Sequence, residues 1–371
     1  MNQDMLIEAL SRCPASVVDK FRILNKECYK RTYNSSFIKL NLQRTNSVSG
    51  FFLEYAERIF TIISAFVEGL GNKTCGSEIS LDFLPPGRVA IVACDASHGI
   101  LLCVNDLPVK GRRPLYMICK PTTKQYLIIP KPKIRYSTVK FGLMVIGSNP
   151  FRYKILRLSN LPCREKRRYS FNSTYVCEVF DSDSFAWKRL NNVEIPEDDF
   201  LSPLHSIPTA SYGVLHWLTF KNNVFRFCLK TETWLVLPVP ECLARDRSIK
   251  LARYEGKLGI ISLSSSEGKD YDEIWVLESY FGNSWVKMKE IKNIGIKPVW
   301  FSSNDTVTLA DWDRILLYNL NNGKSQKLQI RNPRFCPWYS SDISYFPFRS
   351  DYERVEFDGR SNGCRHVTLQ G

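Results

Sequence analysis

ASHGILLCV at residues 96–104 and ASYGVLHWL at 210–218 can be laid over one another, small residue on small residue and branched aliphatic on branched aliphatic. A second pair comes in step downstream, YLIIPKP (126–132) and WLVLPVP (234–240), each running from an aromatic through aliphatics to a proline. The chain therefore contains an internal repeat. Looser copies of the second piece occur as FDSDSFAWKRL (180–190), LESYFGNSWVKM (277–288) and LYNLNNGKSQKLQI (317–330), each reading strand, polar turn, strand. With Tyr126, Trp187, Trp234, Trp285 and Gln326 as equivalent points, the spacings are 61, 47, 51 and 41 residues. That period is near the one expected of propeller blades. A four-stranded blade is apolar on both faces and cannot stand alone, so blades stack radially until a ring closes. The sequence predicts a mainly β fold, a β-propeller of about six blades over 81–350, with aromatic side chains at the repeat points filling space between blades. VAIVAC (89–94), GLMVIG (142–147) and RILLYNL (314–320) read as strands, rich in branched and large apolar residues with no helical period.

Ahead of the repeat the pattern changes. DMLIEALSRCPASVVDKFRILNKECY (4–29) has apolar residues at helical intervals around Pro14. Leu6, Ile7 and Leu10 mark a short first helix. Ser16 with Asp19 resembles a capping box opening a second, along which Val17, Val18, Phe21, Leu24 and Cys28 fall on one stripe. So short a helical piece cannot bury a core of its own, and its apolar face belongs against something else.

Composition bounds the function. The 371 residues are 44% hydrophobic and 24% charged, the balance of an ordinary globular protein. Asp4, Glu8 and Arg12 interrupt the first apolar positions as no signal peptide would tolerate. The longest apolar run, IFTIISAFV (59–67), is far short of the roughly 18 residues a membrane helix needs, so no membrane segment is expected. The twelve cysteines form no C-x-x-C pair and read as reduced, buried thiols, and the histidines His98, His205, His216 and His366 are too far apart for a structural metal. The net charge of +14 gathers in KGRR (110–113), KPKIR (131–135) and CREKRR (163–168). None lies in a nucleic-acid-binding motif, and solvated loops are favoured over nucleic acid, with an acidic protein as a second partner class and a weak nuclear-import reading for the last cluster.

CDASHG (94–99) brings Cys94, Asp95, Ser97 and His98 together, a combination known from nucleophilic catalysis. The repeat argues for structure instead, because Tyr212 stands where the copy would need His98, and the shared glycines Gly99 and Gly213 turn the chain into a buried strand. P-loop, G-x-S-x-G, G-x-G-x-x-G and H-E-x-x-H signatures are missing. No catalytic residue and no cofactor is expected.

IEALSRCPASVVDKFRILNKECYKRTYNSSFIKLNL (7–42) resembles the F-box of flowering-plant F-box proteins in its Ser-Arg-x-Pro step, its Phe-Arg pair and its closing SFIKLNL. The remainder of the chain resembles the F-box-associated propeller of the same family: S-x-G-I-L-L-C, K-P-T-T-K-Q-Y-x-x-x-P, Y-K-I-L-R-L, G-V-L-H-W-L and I-W-V-L-E-S-Y stand in the family's order. The resemblance implies an F-box over 1–45, a linker over 46–80, the propeller over 81–350 and a tail over 351–371. It implies a non-catalytic substrate receptor of an SCF-type ubiquitin ligase in the cytoplasm and/or nucleus. The F-box would bind the Skp-type adaptor on the cullin scaffold, and the propeller an unknown target protein. By the motif, Leu6, Ile7, Leu10, Pro14, Val17, Val18, Phe21 and Leu24 would carry the adaptor contact. Asp19 and Cys28 stand where the family usually has an apolar residue and a tryptophan, and a propeller scaffold or decoy that no longer recruits the ligase is the alternative those departures leave open.

Overall fold

The computed structural model describes residues 3–58, 61–70, 79–105, 114–133, 136–161, 173–196, 199–202, 207–211, 213–244, 249–263, 271–279, 283–311, 314–330 and 343–357. Of the basic clusters, KGRR and CREKRR lie outside these residues, as do Arg135 and Tyr212. The first 44 residues hold four helices: α1 (Gln3–Leu10), α2 (Ala15–Leu24), α3 (Lys26–Thr32) and α4 (Ser35–Arg44). Strands make up most of the rest, in six antiparallel sheets arranged as the blades of a propeller.

Blade I is β3 (Val89–Asp95), β4 (Ile100–Asn105), β5 (Leu115–Lys120) and β6 (Gln125–Ile129). Blade II is β7 (Thr138–Ser148), β8 (Phe151–Asn160), β9 (Thr174–Asp181) and β10 (Ala186–Arg189), with the short β11 (Val193–Glu194) also on β9. Blade III comprises β12 (Thr209–Ser211), β13 (Val214–Leu218), β14 (Val224–Cys228) and β15 (Thr233–Leu237). Blade IV comprises β16 (Ile249–Tyr254), β17 (Lys257–Ser262), β18 (Tyr271–Ser279) and β19 (Ser284–Lys292), and blade V β20 (Lys297–Phe301), β21 (Thr306–Ala310), β22 (Ile315–Asn319) and β23 (Ser325–Lys327). Most of the second and third strands are buried on both faces and read as near-continuous apolar runs, while β18 of blade IV is only buried at alternate positions along its first half. Every residue of VLHWL (214–218) is buried, whereas the outermost SQK (325–327) is wholly exposed.

The five repeat points fall into one register. Tyr126, Trp187, Trp234, Trp285 and Gln326 are each the second residue of the outermost strand, opposite Cys119, Phe180, Phe227, Leu277 and Leu317 of the third. Four of them pack half-buried at the seams between blades, and Trp187 donates its indole N–H to the Pro130 carbonyl of blade I at 2.7 Å.

Alternation along the strands sends successive side chains to opposite neighbours. Ile100 and Leu102 join Leu143 and Tyr153 of blade II, while Leu101 and Cys103 join Phe52 and Phe348 on the other side. Analogous apolar seams run between blades II and III around Trp217, III and IV around Leu258, IV and V around Ile274, and V and VI around Phe51. The ring of seams is complete.

Blade VI corrects the expected linker. Residues 46–80 carry β1 (Val48–Arg58) and β2 (Thr61–Glu68), and β1 pairs with β24 (Ser344–Ser350) from the other end of the chain. Joining the two ends in one sheet closes the ring, and Phe52 meets Phe348 edge-on at 5.2 Å across that pairing. Residues 351–357 are likewise anchored, with Phe357 buried between blades I and II and Lys120 binding Asp351 at 2.5 Å.

Candidate functional site

The helices of residues 3–44 form a small module with its own interior of Leu10, Val18, Cys28 and Phe37, against which Leu6, Ile7, Cys13 and Phe21 pack half-buried. A single stripe from Val17 to Cys28 does not form. Asn25 ends α2 in an extended conformation and caps α3, its side chain accepting from the Glu27 and Cys28 amides at 2.8 and 3.1 Å. The expected capping box is absent too: Pro14 occupies the cap position of α2 with no side-chain cap, and the Asp19 carboxylate binds Arg22 at 2.7 Å. Arg22 also donates to Thr32 Oγ1 at 2.9 Å and lies over the Tyr33 ring at 3.8 Å, tying α2 to the end of α3. Asn41 donates to the carbonyls of Ser11 and Cys13, fixing the Ser-Arg-x-Pro step against α4.

The eight residues expected to meet an adaptor therefore separate. Leu10 and Val18 are interior, Leu6, Ile7, Val17 and Phe21 are half-buried, and Pro14 and Leu24 are exposed. Leu24 is 79% exposed, and Met5, which the motif did not single out, is 68% exposed one position before Leu6. Met5 and Leu24 are the large apolar side chains most open to water among the described residues of the helical module.

The other side of the module sits on the propeller. Tyr29 donates its hydroxyl to the Glu255 carbonyl at 2.9 Å, the Asn304 amide donates to the Tyr33 carbonyl at 3.0 Å, and Arg349 binds Asn41. Ser35 donates its hydroxyl and amide to Asp305 at 2.8 and 3.2 Å. Ile38 and Leu42 of α4 close over Leu70. Glu255 and Asn304–Asp305 belong to turns joining the first and second strands of blades IV and V, so the module covers the face on which those turns lie. Gly256 has φ +76°, and a Cβ there would strike the Tyr33 hydroxyl, so this turn needs glycine for both conformation and room.

CDASHG lies in the equivalent turn of blade I. Gly99 and Gly213 both have positive φ, +63° and +73°, as the repeat required. Asp95 is buried. One carboxylate oxygen accepts from His98 Nδ1 at 3.0 Å and from the Ser97 and His98 amides, and the other from the Val145 amide of blade II at 2.8 Å. Burial works to raise the Asp95 carboxyl, but the His98 bond and those amides outweigh it and hold it below its ordinary value. For His98, burial works downward and Asp95 outweighs it, so the imidazole stays protonated above its usual range. Cys94 faces the apolar seam with Leu101 and Phe348, where burial pushes its thiol up to about 12. Ser97 Oγ accepts from Arg253 at 3.0 Å. The Asp95 carboxylate thus braces blade I against blade II, whereas the Cys94 thiol, kept protonated by burial, faces the seam with blade VI.

Residues 73–333 match the family described as the F-box associated beta propeller domain. F-box protein At5g41720 of Arabidopsis thaliana is 51% identical over 176 residues, 46% of this chain and 93% of that protein. F-box protein At5g49610, from the same plant, is 24% identical over 336 residues, 85% of this chain and 87% of that protein. Among solved structures, TolB from Acinetobacter baumannii aligns over 82% of this chain and 66% of its own at 10% identity, with a TM-score of 0.44.

Proposed function

The chain belongs to the F-box-associated β-propeller family, and from that membership we propose that it is a substrate adaptor of an SCF-type ubiquitin ligase. The helical module binds a Skp-type adaptor, and through it the cullin scaffold, while the propeller holds a target protein. The observation that carries this reading is the two-sided helical module, which commits Tyr29, Ser35 and Asn41 to the propeller and leaves Met5, Pro14 and Leu24 open to water. A module meant only to cap the propeller would turn its apolar residues inward.

The protein does no chemistry itself in this role. It holds target lysines beside the charged ubiquitin-conjugating enzyme, so that an intermolecular transfer proceeds at an intramolecular effective concentration. It works where the ligase works, in the cytoplasm and/or nucleus. Co-expression of the tagged chain in plant cells tests the proposal: precipitation recovers a Skp-type adaptor and a cullin together, and recovery of neither, with the propeller folded, overturns it.

A further inference from the structure

The propeller has a second face, opposite the helical module. There the innermost strands begin and the second strands hand over to the third. Two of those beginnings carry lysine: Lys250 is the second residue of β16 and Lys297 the first of β20, innermost strands of adjoining blades IV and V. Among the described residues neither side chain has a hydrogen-bond or ion-pair partner, although Lys250 is half-buried. Burial and the Lys297 charge together push the Lys250 ammonium below its ordinary value. Other lysines of the propeller do meet carboxylates. Lys287 meets Glu273 and Glu290 at 2.7 Å each, and Lys188 meets Glu232 at 2.8 Å. With no carboxylate partner among the described residues, the two like charges repel, and an anion brought between them relieves both that repulsion and the burial cost.

The same face also presents apolar side chains. Phe220, in the turn between β13 and β14 of blade III, is 62% exposed and stacks on Phe200 with ring centroids 4.6 Å apart and planes 16° apart. Its turn is rigidly braced. The Phe220 amide donates to the Phe200 carbonyl at 2.8 Å, and Asp199 accepts from the Lys221 amide and the Asn223 side chain at 3.0 Å each. Tyr271, the first residue of β18, is 48% exposed, and Ile294, between β19 and β20, is 38% exposed. A preorganised aromatic loses little conformational entropy when covered, which is the character of a binding anchor.

Resting on the reading that the propeller captures the ligase's target, we propose that this face over blades III–V is the docking surface, and that it takes an acidic segment of the target carrying a large apolar side chain. The acid lies between Lys250 and Lys297, and the apolar group packs against Phe220, Tyr271 and Ile294. Nucleic acid fits less well over blades III–V, because its affinity comes from a track of many cations along a phosphate backbone, whereas among the described residues there two ammonium groups share the face with aliphatic and aromatic side chains.

A randomised dodecapeptide library selected on the full chain, in parallel with a Lys250→Glu, Lys297→Glu chain and a Phe220→Ser chain, tests this. On the wild type we expect enrichment of Asp or Glu near a large apolar residue. The strongest selected peptide, measured by fluorescence anisotropy, should bind roughly tenfold more weakly or worse to either variant, more weakly again as salt is raised, and not at all once its acids are replaced by Lys. Phe220 is exposed, so its variant folds even if burying a new carboxylate at position 250 proves disruptive; melting curves report which. Selected peptides without acidic enrichment, peptides held equally by both variants, or displacement of the peptide by a single-stranded oligonucleotide that binds more tightly would each overturn the proposal. Precipitation of the Skp-type adaptor by the same variants separates this from the function above. Undiminished adaptor recovery with lost peptide binding supports the docking face, and lost adaptor recovery in the wild type overturns the ligase reading whatever the peptides do.

Discussion

Ser35, at the start of α4, donates its hydroxyl to the carboxylate of Asp305 in blade V at 2.8 Å, across 270 residues of sequence. The same carboxylate accepts from Ser303 Oγ at 2.6 Å and from the Ser35 amide at 3.2 Å. Burial works against its charge, but these donors prevail and hold its pKa below the ordinary value. A carboxylate so bound fixes the helical module in one pose on the propeller, and with it the direction in which Met5 and Leu24 point.

Asp305→Ala therefore loosens the module. Loss of hydrogen bonds to a charged acceptor costs about 1.5–3 kcal/mol, and the effect is local: amide exchange rises through α3 and α4 while the blades keep their protection. Equal loosening of blades I and II would show that the module and ring unfold as one unit.

Trp217 and Trp234 separate two kinds of aromatic that look alike in the sequence. Trp217 is fully buried between blades II and III, and Trp217→Ala costs about 3–5 kcal/mol. Trp234, at a repeat point, is only half-buried, and its replacement by Ala costs about half as much. Chemical denaturation of the two variants checks the order, and a larger loss for Trp234 would contradict the seam packing.

The repeat was legible because the outermost strands of blades I–IV place an aromatic at the same register position, opposite the third strand, with Gln326 at that position in blade V. Blade VI was not. VSGFFLEYAER (48–58) and TIISAFVE (61–68) have ordinary strand composition, but their partner β24 lies at the far end of the chain and the blade has no fourth strand among the described residues, so no copy of the repeat marks it. In the helical module, apolar periodicity gave the helices but could not say which side of each faced inward. The Asn25 cap rotates α3 relative to α2, which buries Cys28 and leaves Leu24 in water.

Glu54 makes the closing blade sensitive to pH. It is buried in β1 and accepts from the Ile91 amide of blade I at 2.8 Å and from Ser64 Oγ at 3.1 Å. Burial outweighs these bonds and raises its pKa to about 7. Between the ordinary carboxylate value and about 7 the native state holds more protons than the unfolded chain, so stability falls as pH rises through that window and levels off above it. The loss is on the order of 3 kcal/mol. Glu54→Gln keeps an oxygen for the Ile91 amide and flattens the slope, as denaturation at successive pH values will show; an unchanged slope would assign it to another group.

The Asp95–His98 pair has its own pH dependence, with two limbs. His98, raised, contributes stability that is complete below its unfolded pKa and disappears as pH rises through the folded value. Asp95, lowered, contributes above its unfolded pKa and loses it as pH falls through the folded value. Asp95→Ala removes both effects and strands the Val145 amide, costing about 2–4 kcal/mol. Target ubiquitination at saturating, folded protein should survive it, and a specific loss of ubiquitination with fold and adaptor binding intact would give CDASHG a chemical role.

The ligase assignment rests most heavily on the exposed side of the helical module. Calorimetric titration of the purified full chain with a recombinant plant Skp-type adaptor addresses it directly. The expected result is a one-to-one complex, weakened roughly tenfold or more by Met5→Asp or Leu24→Asp with the melting temperature of the propeller unchanged, because both side chains are already in water in the free protein. Absence of any complex with the wild-type chain would contradict the assignment and leave a propeller that binds targets without recruiting the ligase.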